Sequence, residues 1–166
     1  MSVSHDIEVP SSENVVLRGG CRCGNITYTS TALPSAMSHC HCLACRQTSG
    51  SPYQTFASIP TDSLTWTTHT SRGLSIGESV GAAGLLRGLW EPGEVCIVAG
   101  SIDEGSVKGE LMKPTEHIFL EEKAGWFDLP EDGLERFERF SNEESDKRIT
   151  AWMKEHGGDE SKKRES

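Results

Sequence analysis

The sequence is short of basic residues and has no long apolar run. Lysine and arginine contribute 16 side chains against 25 acidic ones, for a formal net charge of −9. This excess argues against nucleic acid or an anionic membrane surface as the main partner. No stretch approaches the roughly 20 apolar residues of a membrane-spanning helix, and residues 1–20 lack the basic and apolar regions of a secretory signal. We therefore expect a cytoplasmic protein that binds neither nucleic acid nor membrane.

Aromatic residues are also scarce, at 7 % of the chain, and apolar residues reach only 35 %. A modest core is therefore expected, and 17 glycines and seven prolines indicate many turns. Between residues 17 and 140, short runs rich in β-branched or aromatic residues alternate with these turn formers, which predicts one mainly β domain. The predicted strands lie at 26–29, 53–59, 64–68, 95–99 and 117–120.

The two ends of the chain differ from this domain. Residues 1–16 are polar and are predicted to form a flexible leader. Ser141 with Glu144 three residues later resembles a capping box, and apolar residues then recur at helical spacing, which predicts a C-terminal helix over 141–156. Three roles stay open for this helix: a cap on the sheet, a docking segment for a partner, or a homodimer contact. Residues 157–166 are expected to be a disordered charged tail.

Three of the six cysteines fall close together in the segment HCHCLACRQTSGS, residues 39–51. Cys40, Cys42 and Cys45 form the pattern C-x-C-x-x-C, which lets three thiolates surround one ion. A disulfide would leave one thiol unexplained, and a redox centre or chance clustering stays open. Zinc is bound by thiolates in a tetrahedron, so three cysteines leave one position vacant, which is typical of catalytic zinc.

Two other readings of these cysteines concern a fourth ligand and a second site. A closed structural zinc would need a fourth ligand such as His39, His41 or His117. Cys21 and Cys23, in GGCRCGN, supply half of another tetrahedral site, but no partner pair is visible. The last cysteine, Cys96 in VCIVA, is expected to be a small core residue.

Four segments together resemble the family of glutathione-dependent formaldehyde-activating enzymes, whose domain is shared with the centromere protein V group. They are GGCRCGNITY, HCHCLACRQTSGS, VAGSIDE and EHIFLEEKAGWFDLPEDGLERF, and they span roughly residues 17–140. The resemblance implies an Mss4-like fold of two β-sheets with zinc held in loops. It also implies a catalytic zinc on Cys40, Cys42 and Cys45, and a structural zinc on four cysteines that include Cys21 and Cys23.

The sequence departs from this family at the structural zinc. The family's Phe-Cys-x-x-Cys-Gly motif aligns with a stretch in which Gly77 and Val80 occupy the cysteine positions. We therefore expect one zinc per chain, with the structural site empty or filled by other ligands. The loop 73–93 is then expected to be loose and held by packing of its leucines and Trp90.

Three thiolates favour a sulfur-binding function for the vacant position. They give the site a negative charge, which makes it a poor activator of water, whereas a zinc ion readily deprotonates a coordinating thiol. The predicted function is a zinc-dependent carbon–sulfur lyase or adduct-forming enzyme. Its substrate would be a glutathione-type thiol adduct or thioether of a small molecule, with glutathione as co-substrate. The alternative is a non-catalytic, zinc-stabilised binding module of the Mss4-like or centromere protein V type.

Five further residues are candidates for the reaction. Arg46 follows the last predicted ligand and could pair with a carboxylate such as those of glutathione. Ser49, Gly50 and Ser51 form a turn whose amides and hydroxyls could hold an anionic group, although a plain turn is an equal alternative. His117 is the candidate proton donor, and its alternative role is that of a hydrogen-bonded structural histidine.

Overall fold

The computed structural model describes residues 13–68, 93–147 and 151. These residues form a mainly β structure, as the sequence predicts, and they also contain one short α-helix between strands. In chain order the elements are β1 (Leu17–Gly20), β2 (Ile26–Ser30), β3 (Ala36–Cys40), α1 (Leu43–Ser49), β4 (Gln54–Pro60), β5 (Leu64–Thr68), β6 (Glu94–Val98), β7 (Glu116–Ile118) and β8 (Glu135–Arg136).

The strands form two sheets. A three-stranded antiparallel sheet has the order β1-β2-β5, and a five-stranded sheet has the order β6-β4-β3-β7-β8. In the larger sheet β3 and β6 run antiparallel to β4, whereas β7 pairs in parallel with β3 and with β8. The parallel pairing matters for function, because it places residues 116–118 directly beside the strand that ends in Cys40.

The main core lies between the sheets, where alternate side chains of facing strands meet. The smaller sheet contributes Leu17 and Tyr28, and the larger contributes Ala57, Ile59 and Ile97, all almost fully buried. The opposite face of the larger sheet carries a second apolar cluster that includes Cys40, Phe56 and Ile118. This outer face, rather than the core between the sheets, adjoins the candidate metal centre.

Each of the five predicted strands corresponds to an observed strand, with boundaries shifted by a few residues. Strands β1, β3 and β8 and helix α1 were not predicted. Residues 143–147 are helical, where the C-terminal helix was expected to begin. The predicted capping box at Ser141 is wrong, because the Asn142 side chain accepts the backbone N–H groups of Glu144 and Ser145 at 2.9 and 3.3 Å.

Several predictions lie outside the described residues. They concern most of the leader 1–16, nearly all of the loop 73–93 with its leucines, most of the C-terminal helix, and the tail 157–166. The predicted domain boundaries therefore stay predictions. Within the described part of the chain, every helix is too short or too polar to cross a membrane.

Candidate metal centre and its cavity

The thiols of Cys40, Cys42 and Cys45 converge on one point, and we call these residues the cysteine triplet. Their three Sγ atoms all lie within 4.8 Å of one another. All three side chains are buried, with exposed fractions of 6 %, 8 % and 0 %. A tetrahedral zinc with Zn–S bonds of about 2.3 Å would place its sulfur ligands roughly 3.8 Å apart. The triplet can therefore hold a metal ion, and its donor set fits zinc.

Local structure explains why the three thiols meet. Cys40 ends β3, and Cys42 is the N-cap residue of α1, so the strand-to-helix turn brings Cys45 back towards the strand. The first free N–H of the helix, that of Leu43, donates to Oε2 of Glu122 at 2.7 Å. A carboxylate at this position satisfies one of the unpaired amides of a helix start. Glu122 thus fixes the turn that carries the triplet.

Without a nearby cation, the buried Cys40 thiol does not readily lose its proton. The hydrogen bond with the Cys42 thiol, together with burial, raises the pKa of Cys40 to about 12. A bound metal reverses this preference, because it supplies the positive charge that thiolates need. The donor set is therefore consistent with a site built around an ion.

Three histidines lie beside the triplet, and two of them form a chain of hydrogen bonds with an aspartate. His117 Nε2 lies 3.0 Å from Asp132 Oδ2, and His117 Nδ1 lies 2.9 Å from His41 Nε2. His39 Nδ1 instead lies 2.8 Å from Thr55 Oγ1. No histidine belongs to the metal-ligand group found among the described residues. Within that part of the chain the fourth position has no protein ligand.

His117 and His41 are the most deeply buried of these groups, at 1 % and 0 % exposure. Burial and the neighbouring His117 lower the pKa of His41 to about 4. The hydrogen bond with His117 holds the pKa of Asp132 below its usual value. The bond to His117 leaves Nδ1 as the remaining nitrogen of His41.

Two buried polar atoms next to the triplet have no partner within the described residues. They are Nδ1 of His41 and Nε of Arg46. A buried unpaired donor or acceptor costs about 1–3 kcal/mol, so such atoms usually have a ligand or water partner. Arg46 was predicted to bind a carboxylate, and its unpaired Nε–H is a donor available for one.

The Ser49–Gly50–Ser51 turn ends helix α1. Ser49 Oγ donates to the Cys45 carbonyl at 2.8 Å, and the Ser51 N–H donates to Ser49 Oγ at 3.2 Å. Gly50 has a φ of 66° and its N–H donates to the Arg46 carbonyl. This is the common left-handed helix end. The predicted anion-binding role of these three residues stays a prediction.

A cavity of about 250 Å³ opens along the outer face of the five-stranded sheet, and Cys40 lines it. Three aromatic rings, those of Phe56, Phe119 and Phe140, also line it. We call this space the outer-face cavity. His117 is not among its lining residues, although both of its chain neighbours, Glu116 and Ile118, are. The cavity therefore gives a ligand access to the triplet from the side opposite the histidines.

The second predicted cysteine pair lies apart from the triplet, at the turn between β1 and β2. The Sγ atoms of Cys21 and Cys23 are 3.1 Å apart, and Cys23 is exposed. No third ligand joins them among the described residues, which exclude Gly77 and Val80. The prediction of an empty or altered structural site stays a prediction. Cys96 is buried at 8 % exposure and lines the outer-face cavity.

Some contributors could not be found from the sequence. Glu122 and Asp132 carry no motif signal, because each acts on the site from a distant position in the chain. The sequence did not indicate the link of His41 to His117, because it depends on the parallel pairing of β3 and β7.

Comparison with known proteins agrees with the cysteine motifs. No curated protein matches the chain. The family model described as glutathione-dependent formaldehyde-activating enzyme matches residues 16–84. This segment contains both cysteine motifs, β1 to β5 and α1. Residues 16–84 thus match the family of glutathione-dependent formaldehyde-activating enzymes, which is the family that the sequence motifs resemble.

Proposed function

We propose that this protein is a zinc-dependent carbon–sulfur lyase, or its adduct-forming counterpart, that acts on a glutathione-type thiol adduct or thioether of a small molecule. One observation carries the proposal: three buried thiols converge within 4.8 Å, and one of them, Cys40, borders a cavity. A purely structural zinc is usually closed by four protein ligands, and the described residues supply three.

The chemistry of the triplet favours a sulfur substrate. Cys40, Cys42 and Cys45 would hold the ion, which would supply the positive charge that stabilises a substrate sulfur as thiolate. The surrounding burial strengthens that effect, because the local dielectric is low. Water activation is less suited to a site already rich in negative charge.

The reaction is written most simply for a hemithioacetal, the adduct of a thiol and an aldehyde. The carbon–sulfur bond breaks and its electron pair stays on sulfur. The adduct's hydroxyl loses its proton, and the carbon–oxygen bond becomes a carbonyl. The products are the thiol, after that proton reaches sulfur, and the aldehyde. Read backwards, the same steps form the adduct, so one site serves both directions.

Arg46 and His41 are the residues that we assign to the thiol's polar groups. The unpaired Nε–H of Arg46 donates to a carboxylate of the glutathione part, and a charged hydrogen bond of this kind contributes about 1.5–3 kcal/mol. Nδ1 of His41 forms a hydrogen bond with the same ligand.

We assign His117 a positioning role in place of the proton donation that the sequence predicted. Both of its ring nitrogens already have protein partners. Direct proton donation from His117 to substrate would break one of these bonds. His117 therefore fixes the His41 ring, so that Nδ1 of His41 is the nitrogen that faces the ligand. A cytoplasmic location is part of the proposal, because reducing conditions keep the triplet as thiols.

The test uses the cobalt-substituted protein and reduced glutathione. Cobalt(II) bound by thiolates absorbs visible light, and the bands report its ligand set. Glutathione is expected to shift these bands by entering the fourth position, and S-methylglutathione, which has no thiol, is expected to compete more weakly. Arg46→Gln should weaken glutathione binding about tenfold, given a charged hydrogen bond worth at least 1.4 kcal/mol. Arg18→Gln, which alters an exposed arginine, is the matched control.

A spectrum that does not respond to any thiol would overturn the proposal. It would favour the alternative function, a zinc-stabilised binding module without catalysis. Cys42→Ser should abolish the cobalt bands in either case, which verifies that the triplet holds the ion.

A further inference from the structure

The outer-face cavity is lined by negatively charged groups, whereas glutathione, which is anionic, requires positively charged ones. Its described lining contains two carboxylates, those of Glu94 and Glu116, and no lysine or arginine. The guanidinium of Arg139 lies over the Phe119 ring, 6.0 Å from its centre. Its guanidinium is already paired with Glu121 at 2.9 Å and with Asp146 at 2.8 Å. An anionic ligand therefore finds no free positive charge there among the described residues.

Neither carboxylate has an ion pair in the described part of the chain, and Glu116 also has no side-chain hydrogen bond there. Glu94 Oε1 already accepts a hydrogen bond from Ser35 Oγ at 2.6 Å. A carboxylate beside apolar side chains gains free energy from a cationic partner. The Phe119 and Phe140 rings add to this, since aromatic faces attract ammonium groups.

The register of the sheet fixes where Glu116 lies relative to the triplet. Glu116 of β7 pairs with Ser38 of β3, two residues before Cys40. Neighbouring strands lie about 4.8 Å apart and each residue advances about 3.3 Å. The Cα atoms of Cys40 and Glu116 are therefore separated by about 8 Å along the face. A ligand with sulfur at the triplet reaches Glu116 with a chain of a few atoms.

The size of the cavity limits what fills it. At about 250 Å³ it is smaller than the roughly 300–1,000 Å³ of sites for drug-sized ligands. It accommodates a compact apolar group, such as one ring, but not a whole tripeptide conjugate. The unpaired groups on the histidine side, His41 and Arg46, suit the anionic tripeptide instead.

We propose that the outer-face cavity binds the electrophile-derived arm of the substrate, and that this arm is a compact apolar group with an ammonium nitrogen that pairs with Glu116. This inference rests on the proposed function, in which the substrate's sulfur lies at the cysteine triplet. It divides the substrate into an anionic thiol part beside Arg46 and a cationic apolar part beside Glu116. The substrate class is thus the thiol adducts of small electrophiles that carry an amine, rather than the thiol adduct of formaldehyde.

The experiment measures binding of three probes that share one ring and a two-carbon chain. They are 2-phenylethylamine, 2-phenylethanol and 3-phenylpropionate, which are cationic, neutral and anionic at pH 7. Affinities are measured by calorimetry on the zinc-loaded protein, so no turnover is needed. The amine is expected to bind at least about tenfold more tightly than the acid, as one charged hydrogen bond implies.

Two variants test whether Glu116 causes the preference for the amine probe. Glu116→Gln keeps the size of the side chain and should remove most of the amine's advantage over the alcohol. Glu135→Gln is the matched control, because Glu135 is exposed, pairs with Glu116 across β7 and β8, and does not line the cavity. It should leave the ranking unchanged. The ranking of probes on the unaltered protein keeps the test valid even if Glu116→Gln fails to fold.

Equal binding of amine and acid would overturn the inference, as would an amine preference that survives in Glu116→Gln. The cobalt spectrum distinguishes this failure from failure of the proposed function. If glutathione still shifts the cobalt bands, only the amine assignment falls. If no thiol shifts them, the proposed function itself falls.

Discussion

At the scale of single residues, Tyr28 shows how the core of this small protein is organised. Its ring is 1 % exposed and meets the Trp66 ring edge-on at 5.1 Å. Its hydroxyl lies 2.8 Å from Ser101 Oγ, so the polar end of the side chain is paired. Gly19, on the neighbouring strand, lies directly against the Tyr28 ring. The smaller sheet thus depends on the large side chain of Tyr28 and on a glycine, Gly19, at the paired position of the neighbouring strand.

Gly19→Ala is predicted to destabilise the protein. A Cβ at residue 19 would overlap the Tyr28 hydroxyl and ring, and backbone atoms of Ser101 also lie close. Overpacking of this kind costs about 1–3 kcal/mol. Urea unfolding followed by far-UV circular dichroism measures the change. Gly100→Ala is the matched control, because nothing lies within 4 Å of a Cβ there. Equal stability of the two variants would contradict the packing described here.

Tyr28 also predicts a pH dependence that lies away from the metal centre. Burial raises the pKa of Tyr28 to about 12 in the folded protein, against about 10 in the unfolded chain. Because the folded value is the higher one, this contribution to stability is fully present below pH about 10 and is lost as the pH rises through about 12. Two pKa units correspond to about 2–3 kcal/mol.

Tyr28→Phe isolates this effect. At pH 8 the variant should be less stable by about 1 kcal/mol, because the bond to Ser101 is lost. As the pH approaches 12 the difference should shrink and reverse, since phenylalanine does not ionise. Unfolding free energies of both proteins at several pH values provide the test. A difference that stays constant with pH would show that Tyr28 ionises in the folded state as it does in water.

At the scale of elements, helix α1 determines where two of the three thiols lie, and it begins on a carboxylate from far along the chain. The contact from Leu43 N to Glu122 Oε2 joins residues 79 positions apart. Glu122 is held by a short 3-10 turn, Leu120–Glu122, which follows Phe119. Phe119 has a φ of 60°, a conformation that is uncommon for such a side chain. The turn therefore places Glu122 at some conformational cost, which suggests that the contact matters.

Glu122→Ala is predicted to weaken both folding and metal binding. Loss of a helix cap typically costs about 1 kcal/mol, and the freed turn should hold Cys42 and Cys45 less firmly. Unfolding in urea and competition with a chromophoric zinc chelator measure the two effects. Glu131→Ala, which alters an exposed glutamate, is the matched control. An unchanged zinc affinity in Glu122→Ala would limit the role of Glu122 to folding.

The sequence predicted some elements and missed others for physical reasons. The strands at 26–29 and 64–68 are rich in threonine, isoleucine and aromatic residues, which favour pleated structure. Strand β3, AMSHC, lacks β-branched residues and was missed, although it is central in the larger sheet. Its position depends on pairing with β4 and β7. Helix α1 was missed because its seven residues were interpreted as a turn around a metal.

Some parts of the candidate site were likewise predicted from the sequence, and others were not. The cysteine triplet was predicted from spacing alone, because its members lie within six residues of one another. The link from Asp132 through His117 to His41 was not predicted, because it joins residues 15 and 76 positions apart. The outer-face cavity was not predicted either, since it combines β3, β4, β6 and β7 with the start of the C-terminal helix. Contacts set by tertiary pairing leave little trace in one sequence.

At the scale of the whole molecule, the two sheets act as a frame with the triplet at one end of the larger sheet. One side of that sheet faces the core and the histidines, and the other faces the outer-face cavity. A ligand at the triplet can therefore meet basic, buried groups on one side and aromatic, acidic groups on the other. This asymmetry is the feature on which the proposed substrate with two different arms is based.

We expect the cysteine triplet alone to hold zinc, with one ion per chain. The most direct test is metal content by mass spectrometry, on protein purified without chelator or affinity-tag metal. We expect about one zinc per chain, which matches the single three-thiol group found among the described residues. The zinc should be lost in Cys42→Ser and retained in Cys23→Ser. No bound metal, or zinc retained in Cys42→Ser and lost in Cys23→Ser, would show that the triplet is not the zinc site.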